Sequence, residues 1–332
     1  MGKLLSTELQ ILLRCIKKDK RVIIPPMVGF DSGVHIFDGQ YVVVATDPCT
    51  GVPDEWFGYL LINYAASDVA LSGAKPEFCT INLLGPKTAK PETFQEVMRQ
   101  TCKAADEHNI AIVRGHTGMY DSVSDMLGVA TVYGTIQLEK LITPADAKPE
   151  DLIFCTKPLG LETIINFSVT HKQEAQKIFG GHQQDMLSKQ VHMQSCVREA
   201  QHLAKTNAVH AMHDATEGGF VACLNELAEA SATGFVVEWD KIPVTKETLL
   251  IKEHFGLNDE QMLSMSSTGT IIGAVNPDAK EEIQKVLKSN GLSVSFMGSF
   301  TENKQRVLIK KGQKEPFPRI SNDPYDLIIS GH

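Results

Sequence analysis

A two-domain α+β protein is what the sequence predicts, on three observations. The chain has 332 residues, more than a single hydrophobic core readily serves. Apolar strand-like runs and amphipathic helix-like runs alternate in two separate blocks, with no short-period repeat. A polar, proline-containing stretch, "EKLITPADAKPED" from Glu139 to Asp151, parts the two blocks. The expected limits are 1–140 for the first domain, 150–312 for the second and 313–332 for a tail. Being polar and rich in proline, the tail is expected to lie loosely on the surface.

The elements follow in order. Leu5, Leu9, Leu12, Leu13 and Ile16 recur at helical spacing, which predicts an amphipathic N-terminal helix. Tyr41 to Ala45 is an apolar, β-branched strand that runs into Thr46-Asp47-Pro48. A helix over 56–72 precedes a strand over 78–84. The next helix spans 91–107, with Pro91 suited to its first turn. Ile110 to Val113 reads as a short buried strand that ends in a tight turn, Gly115-His116-Thr117-Gly118. A strand over 126–136 closes the block. The second block opens with a strand over 152–155, then a helix, a loop holding Gly180-Gly181-His182 and a helix over 188–205. An apolar strand, Ala208 to Met212, leads into "HDATEGGF", read as the start of a helix. Strand or helix signals continue over 234–238, 245–254, 270–275, 277–289 and 292–300.

The formal charge of −8 excludes a general nucleic-acid binder, which presents a basic surface. Neither a secretory h-region nor an apolar run of membrane-spanning length occurs, so the expected location is the cytoplasm and no membrane partner is expected. Seven dispersed cysteines without a CxxC pair match neither a disulfide framework nor a zinc knuckle. There is no GxxxxGK[ST] and no strand-linked GxGxxG.

Four aspartates stand out by context. Asp31 sits in a glycine loop, and Asp47 at the C-terminal end of a strand, where α/β proteins place ligand groups. Asp68 shares a helical stripe with Leu61, Ala65 and Ser72, whereas Phe57, Leu60, Tyr64 and Leu71 form a bulkier stripe expected to face the core. Small neighbours would leave room beside Asp68 for a ligand or a second chain. Asp214 precedes two adjacent glycines, Gly218 and Gly219, which a ligand close to the first helical turn would explain. Three of the acids also have a plain structural reading: a turn for Asp31, a satisfied buried acid for Asp68, a capping box for Asp214 with Glu217. Together they favour a divalent cation held by oxygen, as magnesium is.

These motifs resemble one superfamily in order and spacing: "TDP" at 46–48, "NYAASDVALSGAKPEF" at 63–78, "GHTG" at 115–118 and "HDATEGGFVACLNELAEAS" at 213–231. It contains aminoimidazole ribonucleotide (AIR) synthetase, selenophosphate synthetase, thiamine-monophosphate kinase and the hydrogenase-maturation protein HypE. The wording after Asp214 is most similar to the HypE-like, AIR synthase-related branch. The resemblance implies an AIR synthetase (PurM)-like fold: an N-terminal α/β domain whose sheet forms a homodimer, and a C-terminal α+β domain. It implies ATP and Mg2+ as cofactors, with Asp31, Asp47, Asp68 and Asp214 as metal acids. It further implies nucleotide contacts from Thr46, Gly115, His116, Thr117, Thr216, Gly218 and Gly219.

The activity implied is that of an ATP-dependent ligase, dehydratase or phosphotransferase that activates a carbonyl-type oxygen of a small or protein-borne substrate. A non-catalytic, HypE-like maturation or regulatory protein and a small-molecule kinase are the alternatives. His116, His210 and His213 have the chemistry of a general base, and none is assigned as catalytic. His116 stands where several relatives carry an acid, and Phe30 where many carry a second one. Pro318-Arg319-Ile320 is followed by Ser321 and further residues, where HypE ends in a cysteine. No cysteine here matches the reactive N-terminal residue of selenophosphate synthetase, since Cys15 falls in the expected first helix.

Overall fold

The computed structural model describes residues 6–330. Two compact units divide the chain, one ending at Leu141 and the other beginning at Ile142.

The first unit contains α1 (Ser6–Leu13), β1 (Val22–Ile24), β2 (Gly33–Phe37), β3 (Gln40–Cys49), α2 (Phe57–Leu71), β4 (Phe78–Pro86), α3 (Pro91–His108), β5 (Ala111–Tyr120) and β6 (Leu127–Ile136). Leu5 of the expected first helix lies outside the described residues. The strands form one sheet in the order β1-β2-β3-β6-β4-β5. All neighbours are antiparallel except β4 and β5, whose parallel pairing follows from the α3 crossover.

Pro91 opens α3 and left-handed Asn109 closes it, while Phe94, Val97, Thr101, Ala104 and Ala105 turn inward at helical spacing. Glycine sets how closely the layers meet. A Cβ on Gly58 of α2 would lie 2.2 Å from the Val97 carbonyl of α3, and one on Gly134 of β6 would lie 1.9 Å from the Lys75 carbonyl. The stripe of α2 expected to be open is instead turned onto the sheet. Leu61 packs on Gly128 of β6, and Ala65, Asp68 and Ser72 are all buried. Small side chains there let the helix approach the sheet. Tyr64, expected in the core stripe, is the one residue of α2 that is not buried.

The second unit holds β7 (Leu152–Cys155), α4 (Leu161–Thr170), α5 (Lys172–Phe179), α6 (Gly181–Ser188), α7 (Val197–Ala204), β8 (Val209–Ala215), α8 (Gly219–Ala230), β9 (Gly234–Glu238), α9 (Lys246–His254), α10 (Asp259–Leu263), β10 (Ser267–Val275), α11 (Lys280–Ser289), β11 (Ser295–Thr301), β12 (Arg306–Lys310), β13 (Gln313–Pro316) and α12 (Tyr325–Ser330). Its sheet runs β13-β12-β9-β11-β7-β10-β8. Every residue of β10 is buried, and Phe154, Phe220, Phe235 and Phe300 fill the core around it.

Three expectations need correction in this unit. Gly180-Gly181 is no open loop but a sharp joint between α5 and α6, made at the positive φ of Gly180. The helix expected over 188–205 begins in earnest at Val197, after a short 3-10 turn over Val191–Gln194. The polar tail is built into the unit: β13 extends the sheet, Phe317 is 1% exposed and Ile328 is 2% exposed. Phe317 sets its ring edge-on to Phe220 and Phe235 at 5.7 and 5.0 Å.

Candidate functional site

In the first unit, Asp31 lies in the bend before β2. Asp47 is on β3, opposite Ala130 of β6, and shares its side of the pleat with buried Ala45 and Cys49. Asp68 belongs to the sheet-facing stripe of α2. Leu61 contacts Gly128, which pairs with Cys49, and the Lys75 carbonyl reaches Gly134, which pairs with Val43. The fold thus brings Asp47 and Asp68 into one helix–sheet layer. Thr46 points to the opposite side of the sheet, where its hydroxyl is 3.0 Å from that of Thr131.

The Gly115-His116-Thr117-Gly118 segment corrects the sequence reading. It is no turn after a buried strand: β5 runs through it as an exposed edge strand to Tyr120. Gly115 is required because a Cβ there would lie 2.7 Å from the Ile81 carbonyl of β4. The His116 Nε2 is 2.7 Å from the Tyr120 hydroxyl, on the exposed strand.

In the second unit, His213, Asp214 and Ala215 are the last residues of β8, so Asp214 caps no helix. That removes the capping-box reading. Asp214 is 3% exposed, and its Oδ1 has no hydrogen-bond partner among the described residues; the nearest cation-forming atom is the Nδ1 of His213 at 3.7 Å. A buried carboxylate oxygen left without a donor is costly by itself and suits a hard cation. His213 Nε2 lies 3.1 Å from a carboxylate oxygen of Glu226, whereas His210 Nδ1 reaches Asp151 at 2.8 Å. The two histidines face different partners, as their odd spacing on a strand requires.

The glycine pair has its own structural account. Gly218 precedes α8 with a φ of 81°, and Gly219 has a φ of 55°. A Cβ on Gly219 would meet the Met265 carbonyl at 2.5 Å, and one on Gly218 would meet the Ser321 hydroxyl at 2.6 Å. The Gly218 amide donates to the Asp323 carboxylate at 2.9 Å, and the Ser266 hydroxyl donates to the same oxygen at 2.6 Å. The first amide of the motif thus bonds to the chain's own tail.

Sequence reasoning missed this acidic cluster altogether. Glu162, in the first turn of α4, accepts from the Thr268 hydroxyl at the start of β10. Burial pushes the Glu162 carboxyl up to about 7, against the Thr268 bond, and the negative charges of Asp323 and Glu217 add to the rise. Burial also raises Asp323, despite the hydrogen bonds from Ser266, Gly218 and Tyr325. Glu162 and Asp323 are 161 positions apart, and the only local hint is the serine- and threonine-rich run from Ser264 to Thr270.

Lys157 is a further buried charge that sequence reading passed over. It pairs with Glu199 at 2.9 Å and donates to the carbonyls of Met193, Ser195 and Gly269. Its three protons are fully engaged, which makes it a structural clamp. Thiol chemistry finds little footing in Cys155 and Cys79, since burial pushes the first up to about 12 and the second up to about 11. No described helix is long and apolar enough to cross a membrane.

Comparison with known proteins agrees with this architecture. Residues 29–136 match the N-terminal domain model, and residues 148–311 the C-terminal domain model, of AIR synthase related proteins. A putative hydrogenase expression/formation protein of Methanocaldococcus jannaschii is 24% identical over 282 residues, covering 79% of this chain and 78% of the relative. A selenide, water dikinase of Carboxydothermus hydrogenoformans is 25% identical over 324 residues, covering 88% of this chain and 90% of its own. Among solved structures, the hydrogenase maturation protein HypE in complex with ATP superposes with a TM-score of 0.72 at 19% identity, covering 86% of each chain.

Proposed function

The chain belongs to the AIR synthase related protein family, and from that premise we propose that it is a magnesium- and ATP-dependent enzyme that activates a carbonyl-type oxygen. The observation that carries this reading is the buried Asp214, whose Oδ1 lacks a hydrogen-bond donor. Asp31, Asp47, Asp68 and Asp214 are the proposed magnesium ligands. Thr46, Gly115, His116, Thr117, Thr216, Gly218 and Gly219 are the proposed nucleotide contacts. Bound magnesium would neutralise phosphate charge, which is most of what phosphoryl transfer asks of a site. The residues of this chain would orient the phosphates and the acceptor oxygen through backbone amides and hydroxyls.

The proposed assembly is a homodimer formed through the first unit's sheet. Val42, Val44, Val129, Thr131 and Tyr133, on the side of the sheet away from α2, are only half-buried, and Phe78 is 42% exposed. Sedimentation analysis should give twice the 36.4 kDa chain mass.

Calorimetric titration with Mg-AMPPNP tests the site. Asp68→Asn and Asp214→Asn should each weaken binding at least about tenfold, the loss expected when one charged ligand is removed. Unchanged affinity in both variants would remove the assignment.

A further inference from the structure

Residues 318–323 connect two buried anchors, Phe317 and Ile328, and cross the first turn of α8 between them. The upstream anchor is extended by Asn225, whose amide donates to the Pro318 carbonyl at 2.8 Å. Downstream, Asn166 donates to the Tyr325 hydroxyl at 2.9 Å. The intervening segment has little to hold it. Arg319 and Asn322 are exposed, and Ile320 is 79% exposed. Four polar contacts fasten it among the described residues: the Gly218 amide, the Ser266 hydroxyl and the Tyr325 amide donate to Asp323, and the Asn322 amide donates to the Ser264 hydroxyl at 3.3 Å. A strap with firm ends and a lightly bonded middle opens locally at low cost.

We propose that residues 318–323 are an autoinhibitory strap, whose Asp323 carboxylate occupies the Gly218 amide just before α8 and leaves when a phosphate-bearing nucleotide binds there. This rests on the reading of Gly218 and Gly219 as phosphate contacts. Two independent observations converge on it. An anionic side chain of the same polypeptide already sits on the amide that a phosphate would need. Four residues upstream, the strand entering this turn carries Asp214 as its last residue but one, with its buried oxygen lacking a hydrogen-bond donor.

Charge supports displacement rather than coexistence. Glu162 lies close enough to both Asp323 and Glu217 for their charges to act on it, so an arriving phosphate would join three carboxyl groups. Removing Asp323 takes away one negative charge and frees the Gly218 amide along with the Ser266 hydroxyl and the Tyr325 amide. Ser321 would leave with it, clearing the space over Gly218 that its side chain now fills.

The test uses the full chain with Mg-AMPPNP as probe. Hydrogen exchange of the amides in 318–323 should quicken at least about tenfold at saturating probe in the wild type. Asp323→Ala should bind the probe about tenfold more tightly, the worth of one charge-assisted hydrogen bond. Asp323→Asn, which keeps the shape and loses the charge, serves if the alanine variant folds poorly, and should also bind more tightly. Exchange that is unchanged or slowed, together with equal or weaker affinity in both variants, would overturn the strap. Asp214→Asn separates the two claims: if it abolishes binding while exchange of 318–323 in the wild type is unchanged at saturating probe, the site stands and the strap falls. If no protein, wild type or variant, binds the probe, the site reading falls and the strap with it.

Discussion

Glu162→Gln tests the acidic cluster without disturbing its packing. The glutamine carbonyl can still accept from the Thr268 hydroxyl, so the change removes charge and little else. Glu162 titrates at about 7 in the folded chain against an ordinary value of 4.5. The folded state therefore holds a proton that the unfolded chain has released. Its contribution is fully present below about 4.5 and is lost as pH rises through about 7. Carried through linkage, the full difference is about 3 kcal/mol; partial exposure of the side chain reduces it, giving about 1–3 kcal/mol. Relative to wild type, Glu162→Gln should be equally stable near pH 4.5 and more stable at pH 8 by that amount. A Trp56→Phe background leaves Trp239 as the sole tryptophan, so its fluorescence in urea reports the second unit alone. Parallel stability of the two proteins from pH 4.5 to 8 would refute the assignment of a raised carboxyl.

Other outcomes follow from the same contacts. Lys157→Met should destabilise the second unit by about 3–5 kcal/mol, because Glu199 stays buried without its partner; thermal melts of this variant and of Lys157→Met with Glu199→Leu should show recovery in the double change. Phe317→Ala should cost about 3–5 kcal/mol in urea unfolding, whereas a loosely attached tail would show no effect. Gly219→Ala should lower the melting temperature measurably, since the new methyl meets the Met265 carbonyl at a positive φ.

Much of the fold was legible because local chemistry and tertiary role coincided. Pro91, the inward spacing of Phe94, Val97, Thr101, Ala104 and Ala105, and the αL residue Asn109 define α3 in sequence and structure alike. The errors arose where one residue type serves two purposes. Glycine at 115 reads as a turn, yet it is there for close approach to the neighbouring strand's carbonyl. The small residues around Asp68 read as a vacancy, yet they let α2 sink onto the sheet. In the tail, polar and proline-rich composition masked two well-spaced anchors, Phe317 and Ile328. As for the candidate site, Asp47, Asp68 and Asp214 could be singled out by context. Glu162 and Asp323 could not, because neither has a sequence neighbour that explains its charge.

The glycine motif shows why the weight of the functional argument belongs on Asp214. Gly218 and Gly219 both have positive φ and both are closely covered, one by Ser321 and the other by Met265. Backbone geometry and packing therefore account for the pair without any ligand. The amide they expose is likewise accounted for, by Asp323. Asp214 is different: it is buried, and its Oδ1 has no hydrogen-bond donor among the described residues, only the His213 Nδ1 at 3.7 Å, so packing alone leaves a cost. A second cost lies in Glu162, held up to about 7 beside other acids. Such uncompensated carboxyl groups erode stability, and proteins retain them chiefly where function uses them. Asp214 stands at the end of β8 and Glu162 in the first turn of α4, both in the second unit, and that is where the chemistry is to be sought.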